Sequence, residues 1–142
     1  MPIVDKDTGE PVNAYHPMVP LIISSKGRDC TQTDGLLDSG SDGVVIPMGL
    51  AEYLGLELNR TERPMMVANG RSVERLTSKV TLTLGRAGRY CDPIEAEVNV
   101  PAEGSPPILI GRDPVFRLFT ITFVEAERRL EMTPYRRGRF PV

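Results

Sequence analysis

Apolar residues along this chain recur mostly at every second position, in short runs broken by turn-forming residues, which is the pattern of β-strands with one buried face. Val19 to Ser24 is apolar and β-branched and predicts a strand ending in the turn Ser25-Lys26-Gly27-Arg28. A return strand from Cys30 runs through Thr31, Thr33 and the Asp34-Gly35 kink into Leu36-Leu37. After a polar loop, Val44-Val45-Ile46 predicts the next short strand. The period then changes. Pro47 sits where a helix starts, Leu50, Tyr53 and Leu54 follow at spacings of three and four, and Gly55 supplies a stop, so a helix is expected over 48–56.

Residues 64–84 read as a long hairpin. Met65-Met66-Val67-Ala68 goes up, Asn69-Gly70 turns, and Ser72 to Leu76 comes down; Asn-Gly suits the turn because both positions accept positive φ. Thr77 to Leu84 alternates Val80, Leu82 and Leu84 against Thr81 and Thr83, and after the turn 85–88 the alternation returns in Ile94, Ala96, Val98 and Val100. Breakers fill residues 101–107. Ile108-Leu109-Ile110 is a fully apolar strand entering the polar turn Gly111-Arg112-Asp113, and Pro114 can open a short helix through Leu118. Phe119 to Phe123 and Arg129 to Met132 predict a final strand pair around a turn at 125–128. Many short strands without a βαβ rhythm make the chain mainly β, a closed or sandwiched barrel. The expected organisation is a turn-rich segment over 1–15, one domain over 16–133 and a tail over 134–142.

With 142 residues, 40% hydrophobic and 25% charged, the chain can bury a sizeable core. A net charge of −2 gives no global reason to expect nucleic acid or an anionic membrane as partner, and the Arg136-Arg137-Gly138-Arg139 run reads as a solvated tail. Cys30 and Cys91 are too few for a disulfide framework, and His16 is the single histidine, so neither a zinc site nor a nucleophilic triad is expected. No apolar run approaches the ~20 residues of a membrane helix. No secretory signal is visible, and the expected compartment is the cytoplasm.

Against that plain background one stretch stands out. Asp38-Ser39-Gly40-Ser41-Asp42-Gly43 lies between the apolar runs Leu36-Leu37 and Val44-Val45-Ile46. A buried carboxylate is costly unless paired or hydrogen-bonded, so a core that delivers Asp38 to a loop tip points to use of that acid. Asp7-Thr8-Gly9 repeats the Asp-hydroxyl-Gly triplet, but its flanks are Lys6 and Glu10-Pro11, and it reads as a turn.

The motifs together resemble the retropepsin-like aspartic proteases, the single-domain relatives of pepsin. Leu36-Leu37-Asp38-Ser39-Gly40-Ser41-Asp42 resembles the family's apolar-apolar-Asp-Thr/Ser-Gly-Ala/Ser loop, Val67-Ala68-Asn69-Gly70 is similar to the flap hairpin of cellular members, and Ile108-Leu109-Ile110-Gly111-Arg112-Asp113 resembles the late apolar-Gly-Arg motif. Order and spacing agree over residues 17–133. Ser39 stands where Thr is commoner and keeps the hydroxyl; the helix after Pro47 is similar to that of cellular rather than viral members.

The resemblance implies a closed single-domain acid-protease barrel with a flap hairpin and one or two short helices. It further implies peptide-bond hydrolysis with Asp38, Ser39 and Gly40 as the catalytic triplet, and no cofactor. Asp42 resembles the family's second acid, which meets substrate backbone, and Arg112 the arginine that pairs with it. Val67, Ala68, Asn69 and Gly70 would cover a peptide or protein substrate, with Ile110 among the apolar candidates for subsite walls, beside Val44, Ile108 and Leu109. Two carboxylates are needed and the chain offers one, so the expectation is a homodimer with Asp38 of each copy side by side. The competing expectation is a catalytically silent dimerisation or peptide-binding module on the same fold.

Overall fold

The computed structural model describes residues 3–4, 11–12, 16–26, 30–66 and 70–135. The Asp7-Thr8-Gly9 turn, the hairpin tip Val67-Ala68-Asn69 and the arginine-rich tail lie outside the described residues. Along the chain, β1 (Ile3–Val4) and β2 (Pro11–Val12) pair with each other. They are followed by β3 (Met18–Ser24), β4 (Cys30–Leu37), β5 (Val44–Val45), the helix α1 (Met48–Tyr53), β6 (Asn59–Arg60), β7 (Met65–Met66) and β8 (Ser72–Val73). The second half holds β9 (Arg75–Arg86), β10 (Arg89–Tyr90), β11 (Ile94–Pro101), β12 (Leu109–Ile110), β13 (Phe119–Val124) and β14 (Arg129–Pro134).

Neighbouring strands run β9-β11-β5-β12-β4-β3, and β3 returns to pair with β9, which closes a barrel of mixed parallel and antiparallel pairs. Alternation in sequence becomes alternation of faces. Val80, Leu82 and Leu84 of β9 point inward with Ile94, Ala96, Val98 and Val100 of β11, while Lys79, Glu95 and Glu97 face solvent. The two short, wholly apolar strands lie in the middle of the order: β12 runs parallel to β4 and antiparallel to β5, and β5 runs parallel to β11. Val44, Ile46, Ile108 and Ile110 face the core while Val45 and Leu109 face an apolar-walled cleft, so neither face is made polar and Val44-Val45-Ile46 and Ile108-Leu109-Ile110 lack alternation. Gly35 lets β4 pass close: a Cβ there would come within 2.6 Å of Ile110 Cδ1.

The helix is shorter than its apolar spacing predicts. It ends at Tyr53, because Gly55 adopts φ 63° and the chain caps itself through Gly55 N–H to Glu52 C=O at 3.0 Å and Leu56 N–H to Ala51 C=O at 3.1 Å. Buried Ala51 and Leu54 seat it on the barrel. The long hairpin also divides differently from expectation. Among the described residues Ser72–Val73 pairs only with Met65–Met66, whereas residues 75–86 form one continuous strand laddered on β11 from Arg75 opposite Pro101 to Leu82 opposite Ile94. The change of partner falls at Glu74, whose carbonyl accepts the Ala102 N–H at 2.8 Å. Near the C-terminal end, Asp113 is extended at φ −111°, ψ 125°, as a residue before proline prefers, and the helical turn proceeds from Pro114.

Leu82 is fully buried and lies where β9 pairs with β3 on one side and β11 on the other. Leu82→Ala is expected to lower unfolding stability by about 2–5 kcal/mol, measured by urea denaturation.

Candidate active site

The polar loop leaves the barrel at the end of β4. Leu36 N–H donates to Ile108 C=O at 2.8 Å and Asp38 N–H to Ile110 C=O at 3.0 Å, so β12 accompanies the chain to the acid itself. The loop then folds back on Asp38: Ser41 N–H donates to the Asp38 carbonyl at 3.1 Å, and Gly40 N–H to the carboxylate Oδ1 at 2.9 Å. A Cβ on Gly40 would sit 3.2 Å from that same Oδ1, so glycine serves here by leaving room for the carboxylate. Ser41 Oγ donates to Gly43 C=O at 2.8 Å and closes the turn.

The turn after β12 holds the loop from the other side. Arg112 N–H donates to Ser41 C=O and Asp113 N–H to Asp42 C=O, each at 2.9 Å. Gly111 is buried beneath them, and a Cβ there would fall on the carbonyl oxygens of Ser41 and Gly43. The two polar turns are therefore one backbone unit, joined by main-chain hydrogen bonds between segments some seventy residues apart.

Asp38 is half-buried and lines a cleft of about 760 Å³. Val45 and Leu109, which face each other across the β5–β12 pair, form part of its apolar wall. Met65, Met66 and Val73 contribute from the β7–β8 hairpin, and Pro101, Glu103, Pro106 and Pro107 from the segment after β11. Arg71 Nη2 meets Glu103 Oε2 at 2.6 Å and links hairpin to segment along the cleft. With both side chains about two-thirds exposed, this pair contributes little stability, about 0–1 kcal/mol, and can open at small cost.

The residues expected from sequence fall into four groups. Asp38 and Gly40 line the cleft, and Ser39 beside them is exposed. Asp42 and Arg112 do meet, with Arg112 Nη2 at 2.7 Å from Asp42 Oδ1, but as an exposed pair outside the residues that line the cleft. Ile110 requires correction: it is fully buried in the barrel core, as is Val44, and the faces turned to the cleft belong to Leu109 and Val45. Strand alternation allows only one of two adjacent residues to face the cleft, and a run apolar at every position does not reveal which. Gly70 is exposed with φ 80°, the geometry expected of the turn, while Val67, Ala68 and Asn69 lie outside the described residues. Arg71 was expected at the hairpin tip, but its pairing with Glu103 could not be read from sequence, because each is a lone surface charge until the fold brings them together.

Among the described residues no helix is long and apolar enough to cross a membrane, and no three His, Cys, Asp or Glu residues group as metal ligands.

Comparison with known proteins gives a consistent picture. A family model described as "Aspartyl protease" matches residues 22–113, more than half of the chain. No curated protein sequence matches significantly. Among solved structures, EIAV protease complexed with the inhibitor HBY-793 superposes with a TM-score of 0.54 at 21% identity, covering 81% of this chain and 94% of that one. A retropepsin-like aspartic protease from Rickettsia conorii gives 0.52 at 16% identity, over 87% of this chain and 83% of that one. The retroviral protease-like domain of Ddi1 from Leishmania major gives 0.52 at 16% identity, over 90% of this chain and all of that domain (100%). At these identities the structural matches establish the barrel fold.

The Gly111 clamp has a direct test. Gly111→Ala is expected to force the Asp38 loop away from the β12 turn and lower stability by roughly 1–3 kcal/mol, whereas Gly49→Ala, with open space around its Cβ, should not destabilise. Thermal unfolding of the two variants side by side checks this.

Proposed function

The chain belongs to the retropepsin-like aspartyl protease family, and on that premise we propose that it is an aspartic endopeptidase whose site is completed by a second copy of itself. The observation that carries this reading is the Asp38 carboxylate, held at one oxygen by Gly40 N–H and facing an apolar-walled cleft of about 760 Å³. Among the described residues the acids lining that cleft are Asp38 and Glu103, and Glu103 is engaged by Arg71. A second free carboxylate is therefore best supplied by Asp38 of a twofold-related chain.

In the proposed reaction two adjoining carboxylates share one proton, since both cannot ionise cheaply at close range. The ionised member takes a proton from water as the water oxygen bonds to the peptide carbonyl carbon. The protonated member gives its proton to the carbonyl oxygen, and a gem-diol forms. In the collapse of that intermediate a gem-diol hydroxyl returns its proton to the ionised carboxylate, the C–N bond breaks, and the departing nitrogen takes the proton held by the other carboxyl, which leaves the dyad again with one proton. Ser39, exposed beside Asp38, supplies a hydroxyl for a hydrogen bond between the two loops. In this reading the β7–β8 hairpin is a flap that covers an extended peptide, and Asp42 with Arg112 meets substrate backbone beyond the cleft. Apolar side chains around the scissile bond suit Val45, Leu109, Met65 and Val73.

Incubation with denatured protein or a peptide library between about pH 4 and 7 tests the proposal, since a shared-proton dyad loses activity once both carboxylates ionise. Asp38→Asn is expected to reduce cleavage by on the order of 10²–10⁴-fold. Cleavage that survives in the variant would sink the role of Asp38. A wild-type chain that binds peptides without cutting them, and sizes as a monomer, would leave a peptide-binding module instead.

A further inference from the structure

Among the described residues the β7–β8 hairpin is held to itself by two residue pairs, Met65 with Val73 and Met66 with Ser72, which do not by themselves fix its angle over the cleft. What fixes it lies at its roots. Arg75, the first residue of β9, is half-buried, and its guanidinium donates in three directions: Nε to Arg63 C=O at 3.2 Å, Nη2 to Thr61 Oγ1 at 3.1 Å, and Nη1 to Asn99 Oδ1 at 2.9 Å. Thr61 and Arg63 lead into β7, and Arg75 follows β8 after one intervening residue. One side chain thus ties the incoming root of the hairpin to the outgoing root, and both to β11.

The chain of contacts continues. Asn99 Nδ2 donates to Val44 C=O at 3.3 Å, on the strand that leaves the Asp38 loop. The same amide nitrogen lies 3.2 Å from the place a Cβ would occupy on Gly43, so Asn99 sits directly against the end of that loop. We propose that Arg75 is a positioning residue of the protease site, which through Asn99 sets the flap hairpin in register with the loop that carries Asp38.

The chemistry of the partners favours a positional role over a merely electrostatic one. All three acceptors around Arg75 are neutral, so the contact depends on direction more than on charge, and the planar guanidinium matches three divergent acceptors that a lysine ammonium on a flexible stem does not. The contrast with Arg71 and Glu103 is informative. That exposed ion pair beyond the roots is screened by solvent and contributes little, while the root is held by three directional bonds, two of them part-buried.

The kinetic side of this inference rests on the proposed hydrolysis; the structural side does not, and the test separates them. Hydrogen exchange followed by mass spectrometry would compare the peptide spanning residues 65–73 with peptides from β9 and β11, in the wild type and in Arg75→Lys, Asn99→Ala and the double variant. Arg75→Lys is expected to speed exchange in the hairpin by roughly tenfold or more while the barrel peptides stay within about twofold. Asn99→Ala should act in the same direction, and the double variant should add little to Arg75→Lys, because the two residues share one network. With a peptide that the wild type cleaves, kcat/KM should fall in Arg75→Lys mainly through a raised KM, with the pH profile unmoved. Unchanged hairpin exchange would overturn the proposal, and so would equal acceleration in hairpin and barrel, which marks a general stabiliser. A wild type without hydrolytic activity would count against the protease reading alone and leave the exchange comparison decisive for Arg75.

Discussion

A buried strand that ends inside a barrel must hand its last N–H and C=O groups to a partner, and this fold depends on how β4 and β12 meet that demand together. Each ends on apolar residues, Leu36-Leu37 in β4 and Leu109-Ile110 in β12, and then turns polar. The Asp38 loop satisfies part of its backbone internally, and the two segments complete each other: Asp38 N–H goes to Ile110 C=O, Arg112 N–H to Ser41 C=O, and Asp113 N–H to Asp42 C=O. Gly111 permits the approach by having no side chain. The carboxylate of Asp38 is thereby held on a rigid loop although it lies at the end of a strand, which suits a group that must be aimed.

Around this unit the residues sort by physical type. Apolar side chains from β5, β12 and the hairpin form the walls, and among the described residues the charged groups lining the cleft are Asp38 and the Arg71–Glu103 pair. In the proposed reading such a cleft would remove water from the middle of a bound peptide while leaving its edges solvated. The hairpin adds a second layer, pinned by Arg75 at its roots and joined by the ion pair further out.

Much of this was legible in the amino-acid sequence. The alternation of β9 and β11, the strand pair near the C-terminal end and the loop holding Asp38 follow from local signals that the fold preserves. What could not be read was of two kinds. Val44 and Val45, like Leu109 and Ile110, are neighbours of equal polarity, and only the barrel's geometry decides that Val45 and Leu109 face the cleft. Arg75 looks like one more strand-surface charge, because Thr61, Arg63 and Asn99 become its partners only when three separate segments converge. Helix and strand ends also shifted where capping intervened: Gly55 stops α1 at Tyr53, and the change of partner at Glu74 divides a run that reads as continuous.

The pairing of β4 with β12 joins Leu36 to Leu109 and Leu37 to Ile110, near opposite ends of the barrel sequence. Contacts that distant in sequence require a long loop to close before they return any stabilisation. During synthesis Asp38 is therefore made early but acquires its setting late, after the chain has passed Asp113. A nascent or truncated product that stops before β12 would contain the whole Asp38-Ser39-Gly40 triplet and none of the geometry that holds it, so the fold itself delays the appearance of the site until the barrel is nearly complete.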